Sequence, residues 1–187
     1  MPNKIINLAI VGVGKIVRDQ HLPSIANNKT FNLVATASRN ASVVGVESFA
    51  DIATMLDATE LDAVALCMPP QYRQAAAQLA LAHGKHVLLE KPPGATVSEV
   101  ELLSKLADKN GVSLYATWHS RYGAAVETAK ALLAQRQLKS VSLVWKEDVK
   151  KWHPGQQWIW QAGGLGVFDP GINGLSILTH CLSSSAY

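Results

Sequence analysis

Two glycines near the amino terminus have the spacing of a phosphate-binding turn. Gly12 and Gly14 follow an apolar run typical of a buried strand and precede a segment typical of a helix. Glycines at such a turn let the backbone approach a diphosphate, and the helix N-terminus supplies N–H donors and a positive dipole. We therefore predict that the turn binds a dinucleotide, with Lys15 and Ile16 opening the helix. An ordinary tight turn is the alternative, because Val17 replaces the third glycine of the fingerprint.

The end of the second predicted strand, over 32–39, bears on which cofactor is used. Dinucleotide-binding domains specific for NAD usually have an acidic residue there to bind the ribose 2′-hydroxyl. This chain has Ser38 and Arg39, and the next acidic residue is Glu47. Because a guanidinium can pair with a 2′-phosphate and a carboxylate would repel it, we predict NADP, with NAD tolerated. The alternative is that Arg39 is only a solvated surface charge.

Two more predicted strands end in residues with a chemical role. Met68 and Pro69 end a strand predicted over 61–70, and Glu90 and Lys91 end one predicted over 85–93. We expect Met68 and Pro69 to line a nicotinamide pocket, and Glu90 and Lys91 to lie beside the cofactor. The alternative for the residues at 68–70 is that they only terminate the strand.

These four segments share an edge only if the strands that carry them are parallel. Helical patterns over 71–84 and 95–111 alternate with the strands, and a fifth strand is predicted over 112–118. Such alternation is typical of a sheet with right-handed crossovers, whose strands all end at the same edge. We predict an α/β fold with a doubly wound, parallel Rossmann sheet over residues 1–120.

Capping and periodicity support both helices. Thr96 and Glu99 have the spacing of a capping box, and Gly111 is a typical helix end. The predicted apolar stripe of this helix is Val97, Val100, Leu103 and Leu106. In the helix at 71–84 the predicted common face is Tyr72, Ala75, Ala76, Leu79 and Ala80.

The pattern changes after about residue 120. A helix is predicted over 121–137, a long strand over 138–149, an aromatic and glycine-rich loop over 152–166, and a helix over 168–182. Because one strand cannot form a stable sheet, residues 121–187 are predicted to be an incomplete α+β domain.

Composition excludes several classes of protein. With 187 residues and a net charge of +3, the chain is too weakly basic for nucleic acid or an anionic membrane to be expected partners. The two cysteines, Cys67 and Cys181, cannot form a disulfide framework, so we expect buried thiols and a cytoplasmic protein. No apolar run is long enough to span a bilayer, and no motif predicts a metal site.

Several stretches resemble a known family. The motifs GVGKI, ATASR, EKPPG and GGLGVFDPGIN are similar to the glucose–fructose oxidoreductase / inositol dehydrogenase (Gfo/Idh/MocA) family. The stretches TWHSRYG, WKEDVKKWHPGQ and DPGIN resemble its bacterial aldose 1-dehydrogenases, which act on L-arabinose and D-galactose. The resemblance implies a dinucleotide-binding half and a second half that binds sugar on a large sheet. Since this chain ends soon after the helix near Asp169, we expect a C-terminally truncated member.

The resemblance implies a site for oxidising the C1 hydroxyl of an aldopyranose to an aldonolactone. Lys91 matches the family's catalytic lysine, whose ammonium hydrogen-bonds the reacting hydroxyl and stabilises charge on its oxygen. Asp169 is predicted to accept the proton, unless it only caps the helix that Pro170 opens. Asn173 would lie on the same helical face and orient the sugar, although much of the family has a histidine there.

Four further residues are predicted to bind the sugar. Trp152 would stack on its C–H face, and Glu147 and His153 would bind hydroxyl groups, with His119 nearby. An ordinary loop histidine is the alternative for His153. Trp158 and Trp160 are expected to be packing residues.

Three functions stay open at this point. The first is an NAD(P)-dependent sugar dehydrogenase, whose partner is a small sugar. The second is a non-catalytic protein that senses a dinucleotide or a sugar, and the third is an inactive fragment of such an enzyme. The oligomeric state is not predicted.

Overall fold

The computed structural model describes residues 4–182, which form two compact units. The first unit extends to Thr117 and the second begins at Trp118. The domain boundary predicted at residue 120 lies close to this division.

The first unit is built on a parallel sheet of six strands. The strands are β1 (Ile6–Val11), β2 (Phe31–Ala37), β3 (Glu47–Phe49), β4 (Ala63–Leu66), β5 (His86–Leu89) and β6 (Leu114–Ala116). Their order is β3-β2-β1-β4-β5-β6, and every neighbouring pair is parallel. The prediction of a doubly wound Rossmann sheet is therefore confirmed. The short strand β3 was not predicted, because three residues carry no measurable periodicity.

Helices cover both faces of this sheet. They are a π-helical segment (Val17–His21) leading into α1 (Leu22–Ala26), α2 (Ile52–Ala58), a 3-10 turn (Pro70–Tyr72) leading into α3 (Arg73–Ala82), and α4 (Val97–Asn110). Alternate residues of β1 enter different apolar clusters: Ala9 and Val11 pack on one face of the sheet, and Leu8 and Ile10 on the other. Burial on both faces is what the near-continuous apolar strands predict.

The predicted ends of α4 are confirmed by its contacts. The Glu99 N–H donates to Thr96 Oγ1 at 3.2 Å, and Glu99 Oε2 accepts from the Ala95 N–H at 2.8 Å. Gly111 ends the helix with a left-handed φ of 65°. The first contact satisfies an N–H group that a helix start otherwise leaves without a partner, and the second ties Glu99 back to the residue before the cap.

The predicted helix faces were partly wrong. Tyr72 is 54% exposed and Ala75 is also exposed, because Tyr72 belongs to the 3-10 turn and the α-helical phase begins only at Arg73. On α4, Val97 is 76% exposed, since it opens the first turn before the helix reaches the core. The buried positions of these helices are Arg73, Ala76, Ala77, Ala80 and Leu81 on α3, and Leu103 and Ala107 on α4.

The second unit is helical wherever it is regular. It contains a 3-10 turn (His119–Tyr122), α5 (Val126–Leu133), α6 (Val149–Trp152), a second 3-10 turn (Gln157–Trp160) and α7 (Phe168–Cys181). The strand predicted over 138–149 was wrong: residues 138–148 form neither helix nor strand. A strand needs a hydrogen-bonded neighbour, and no other part of the described range 118–182 forms one.

Both cysteines, Cys67 and Cys181, are free and buried, as predicted. Burial, reinforced by the carboxylate of Glu90, raises the pKa of the Cys67 thiol far above its ordinary value. Within residues 4–182, no helix combines the length and the apolar character needed to cross a bilayer.

Candidate functional site

The glycine turn follows β1 and lies against the loop that follows β4. Gly12 has a left-handed φ of 89°, and its N–H donates to the carbonyl of Ala37 at 2.8 Å. A Cβ atom at Gly12 would lie 2.7 Å from the backbone nitrogen of Met68. No side chain fits there, so glycine is required by both the conformation and the close approach.

Gly14 has the opposite surroundings. A Cβ atom there would meet nothing within 4 Å, and Gly14, Lys15 and Ile16 are exposed at the start of the helix. The open space lies before backbone N–H groups that have no partner inside the helix. The turn therefore fits a diphosphate, which needs room and N–H donors at this place.

Val17 explains how the fingerprint tolerates a missing glycine. Its side chain is completely buried and packs in the cluster that contains Leu8 and Ile10. The helix is π-helical from Val17 to His21, where the third glycine would otherwise bring helix and sheet close together. The departure affects the core beneath the turn rather than the open face of the turn.

Ser38 and Arg39 lie beside the glycine turn. The residue before them, Ala37, is paired with Val11 at the end of β1. The Ser38 N–H donates to the carbonyl of Phe49 at 2.9 Å, while Arg39 is exposed. A guanidinium at this place can reach the adenosine side of a dinucleotide that is held by the turn.

The acidic residues that follow Arg39 in the chain do not stand at the end of β2. Glu47 begins β3, at the end of that strand away from the glycine turn. Asp51 caps α2 and accepts from the Thr54 N–H at 2.9 Å, and hydrogen bonds from Thr54 lower the pKa of the Asp51 carboxyl. Neither carboxylate takes the position at the end of β2 that typically binds a ribose 2′-hydroxyl.

A buried polar network surrounds Glu90 at the end of β5. His21 Nε2 lies 2.7 Å from Glu90 Oε1, and Thr117 Oγ1 donates to Glu90 Oε2 at 2.9 Å. An ionised carboxylate only accepts, so His21 Nε2 is the donor. Burial raises the pKa of Glu90, but the hydrogen bonds and charge of His21, with Thr117 and the Lys91 N–H, outweigh it and hold that pKa below its ordinary value.

This network fixes the backbone of Lys91. The Lys91 N–H donates to Glu90 Oε2 at 3.1 Å and to Thr117 Oγ1 at 3.2 Å. Lys91 is half-buried and follows the carboxyl end of β5, two strands from the end of β1 in the order of the sheet. The structure therefore holds Lys91 at the same edge of the first unit as the glycine turn.

Met68 and Pro69 are half-buried in the loop after β4, which is next to β1 in the sheet. Sequence reasoning missed Arg73, whose buried guanidinium donates from Nε to the Met68 carbonyl at 2.7 Å. An arginine at the start of a helix normally indicates an exposed charge, so no local signal marked it.

In the second unit, Asp169 pairs with His153. Asp169 is 3% exposed, and its Oδ2 lies 3.0 Å from His153 Nε2. The capping alternative for Asp169 is wrong: Val167 precedes the first turn of α7, and no side chain caps it. Trp158 packs edge-to-face on the His153 ring with centroids 5.7 Å apart, which confirms Trp158 as a packing residue.

Glu147 and Asn173 form a second pair. Asn173 Nδ2 donates to Glu147 Oε1 at 3.2 Å, and the indole Nε1 of Trp145, which was not predicted, donates to the same oxygen at 2.6 Å. Gly174 makes this possible, because a Cβ atom there would lie 2.9 Å from Leu143. The absence of a side chain lets the irregular segment approach α7.

One residue of each pair, Glu147 and His153, lines a cleft of about 190 Å³ in the second unit. Its lining residues are Glu147, Val149, His153, Ile159, Trp160, Gly166, Val167 and Pro170. Trp160 is 61% exposed, so the expectation that it only packs was wrong. The cleft is smaller than the roughly 300–1,000 Å³ of pockets for drug-sized ligands, and its lining is mostly apolar, with Glu147 and His153 supplying polar side chains.

Two predicted sugar-binding residues lie in short helical segments. Trp152 ends α6, is 50% exposed and has Lys151 Nζ 5.1 Å from its ring centroid. His119 begins a 3-10 turn and is exposed, with Nδ1 3.4 Å from Ser120 Oγ. Among the described residues, no group of three or more His, Cys, Asp or Glu side chains is arranged to hold a metal.

A parallel sheet with this strand order and an open glycine turn defines a dinucleotide-binding domain of the Rossmann type. The sequence profile of the Gfo/Idh/MocA group, described as an oxidoreductase family with an NAD-binding Rossmann fold, matches residues 6–117. The chain belongs to this family.

Particular relatives extend the similarity into the second unit. Galactose 1-dehydrogenase of Pseudomonas fluorescens is 50% identical over 178 residues, covering 95% of this chain and 57% of the relative. The crystal structure of D-galactose-1-dehydrogenase from Rhizobium etli is 68% identical with a TM-score of 0.89, covering 96% of this chain and 59% of that one. An NADP⁺-dependent scyllo-inositol 2-dehydrogenase of Bacillus subtilis is 35% identical over 117 residues, covering 58% of this chain and 35% of the relative.

The chain thus spans somewhat more than half the length of both galactose dehydrogenases.

Proposed function

We propose that this chain acts as an NADP-dependent aldose 1-dehydrogenase, which oxidises the C1 hydroxyl of D-galactose or L-arabinose to the aldonolactone. The observation that carries the proposal is the open Gly14 turn at the same sheet edge as Lys91, whose backbone a buried network holds in place. The names of the relatives at 50% and 68% identity support D-galactose as the substrate.

In this proposal a bound NADP would supply the acceptor for the hydride that leaves sugar C1. The Lys91 ammonium hydrogen-bonds the C1 hydroxyl and stabilises the charge that develops on its oxygen. Asp169 accepts the hydroxyl proton, and the contact with His153 orients its carboxylate. Asn173 orients the sugar, because an amide does not exchange a proton near neutral pH.

The remaining predicted residues keep supporting roles in the proposal. Glu147 and His153 bind sugar hydroxyls from the border of the cleft, and Trp152 and His119 bind the sugar from their short helical segments. The half-exposed indole of Trp152 suits stacking on the apolar C–H face of a pyranose.

The cofactor preference rests on the end of β2. Ser38 and Arg39 stand where an acid would select NAD, and Glu47 and Asp51 are placed elsewhere. In this proposal Gly14, Lys15 and Ile16 would hold the diphosphate, and Met68, Pro69 and Glu90 would hold the nicotinamide end. The buried free thiols support a reducing compartment, and we propose that the protein is cytoplasmic.

The test is a turnover assay of the purified protein that follows the absorbance of the reduced nicotinamide. D-galactose and L-arabinose have the same configuration at C2, C3 and C4, so we expect both to be oxidised, faster with NADP than with NAD. Arg39→Ala should raise the KM for NADP and leave that for NAD nearly unchanged. Tight NADP binding without turnover of either sugar would overturn the catalytic proposal.

A non-catalytic sensor of dinucleotide or sugar is the second candidate. The observation that favours it is Asn173, which is held by Glu147 and replaces the histidine of much of the family. A sensor would bind NADP and sugar but would show no turnover. Lys91→Ala would then change only the Kd for these ligands.

A further inference from the structure

One buried cation joins the loops that follow β4 and β5. Arg73, the first residue of α3, is only 4% exposed. Its Nε donates to the Met68 carbonyl at 2.7 Å, and its Nη1 donates to the Glu90 carbonyl at 2.6 Å. The same Nη1 also donates to the carbonyl of Pro92. A single planar guanidinium therefore spans the loop of Met68 and the loop of Lys91.

The chemistry of arginine suits this bridge better than that of lysine. A guanidinium stays protonated when buried and presents several donors in a fixed plane, so the separation of its acceptors is set by its geometry. An ammonium is a single point of charge on a flexible stem. Lysine at this position can reach one loop but cannot hold both at a set distance.

We propose that Arg73 is a positioning residue that sets Lys91 relative to the nicotinamide-facing loop of Met68 and Pro69. Its consequence for turnover rests on the proposed hydride transfer. Reacting groups must approach within roughly 3–3.5 Å, and a displacement of about 1 Å can cost roughly a hundredfold in rate. Arg73 acts through the two loops, and its own donors bind backbone carbonyls.

If Arg73 had a purely structural role, its substitution would lower only the free energy of unfolding. The control is therefore a variant that is destabilised at a different place in the first unit. Met55→Ala serves this purpose, because Met55 is fully buried on α2, which packs mainly against β2 and β3 and less against α3. The test variant is Arg73→Lys, which keeps the charge but carries all its donors on a single nitrogen. Both variants are compared with the wild type at conditions of equal unfolding free energy.

The first readout is hydrogen exchange of the backbone amides in two segments, Cys67 and Met68 in the first and Glu90, Lys91, Gly94 and Ala95 in the second, the other loop residues being prolines without an N–H. We expect exchange in both segments to be roughly tenfold faster in Arg73→Lys than in Met55→Ala, since the bridge no longer restrains the loops. Equal exchange in the two variants at matched stability overturns the proposal.

The second readout compares the Kd for NADP with the Kd for 2′-phospho-ADP-ribose, which lacks nicotinamide. Arg73→Lys should weaken NADP binding while the fragment's Kd stays within about twofold, because only the nicotinamide end is displaced. Where the wild type turns over sugar, kcat should fall roughly 10- to 100-fold. An equal loss of affinity for both ligands overturns the proposal. If the wild type does not turn over sugar, that result counts against the proposed dehydrogenase activity and not against the role of Arg73. The hydrogen-exchange comparison then tests the role of Arg73 by itself.

Discussion

The two units position their polar side chains by different means. In the first unit, Lys91 follows β5, an interior strand of a parallel sheet, and its backbone is held by the buried carboxylate of Glu90. In the second unit, Glu147 lies in an exposed irregular segment and reaches Asn173 through side-chain contacts. The sheet edge is a consequence of the whole architecture, whereas the second arrangement depends on a few local contacts.

This difference indicates where each region is sensitive. The glycine turn is constrained by backbone atoms of the neighbouring loop, which cannot move without disturbing β4. The pair of Glu147 and Asn173 depends on Gly174, whose small size admits flexible side chains of Leu143 and Trp145. Substitutions in the first unit should therefore have larger effects on stability than those in the second.

The largest expected effect is on catalysis in the first unit. Lys91→Met should lower kcat for D-galactose about 10²- to 10⁴-fold, because the charge developing on the sugar oxygen loses its partner. The measurement is steady-state kinetics with NADP. Lys105→Met on the exposed side of α4 is the matched control and should leave kcat unchanged. A similar kcat for both variants would remove Lys91 from the proposed mechanism.

The two glycines of the turn offer the next contrast. Gly12→Ala should destabilise the protein by about 2–4 kcal/mol, because a Cβ atom would meet the Met68 backbone in a strained conformation. Gly14→Ala should change stability by less than about 1 kcal/mol, but it should weaken NADP binding by placing a methyl group in the open space. Urea unfolding and calorimetry measure the two effects. Equal losses of stability would show that the two positions are not distinct.

Glu90→Gln tests the network around Lys91. At neutral pH we expect the free energy of unfolding to fall by about 1–3 kcal/mol, since a buried hydrogen-bonded carboxylate is replaced. The folded pKa of Glu90 is lowered, so its ionisation stabilises the fold above the unfolded value of about 4.3. That stabilisation disappears as the pH falls through the folded pKa.

The difference in unfolding free energy between the wild type and Glu90→Gln should consequently become smaller at acidic pH. Urea unfolding at neutral pH and below pH ~4 measures it. Glu101→Gln, at an exposed position on α4, is the control with little expected effect at neutral pH. A difference that is constant or grows on acidification contradicts an ionised, stabilising Glu90.

The smallest expected effect lies in the second unit. Trp145→Phe removes the donor to Glu147 but keeps an aromatic ring, and the indole is already 38% exposed. We expect the free energy of unfolding to fall by about 0.5–1 kcal/mol. All five tryptophans lie in this unit, so fluorescence during urea unfolding reports on it directly. A loss larger than that of Gly12→Ala would reverse the comparison between the units.

The parts that local patterns predict were found where expected. The glycine turn, the cap at Thr96 and the left-handed Gly111 were all read from short stretches, because turn chemistry and capping depend on neighbouring residues. The five strands predicted before residue 120 are all present in the sheet.

Prediction failed where distant contacts override a local pattern. The alternating segment over 138–149 has strand-like composition but no neighbouring strand among the described residues, and instead packs Leu143 and Trp145 over Gly174. Tyr72 has helical spacing, yet a 3-10 turn shifts the phase before α3 begins. The bridging role of Arg73 has no local signal, since its acceptors lie in two separate loops.

The amino-acid sequence alone determined the parallel architecture and which residues end its strands, because hydrophobic periodicity and turn residues act over a few positions. Only the tertiary structure decided that His21 binds Glu90 across 69 positions of the chain, and that one guanidinium joins two loops. The physical reason is that a buried polar group takes whichever partner the packed sheet brings near it, and that choice depends on all the strands and helices together.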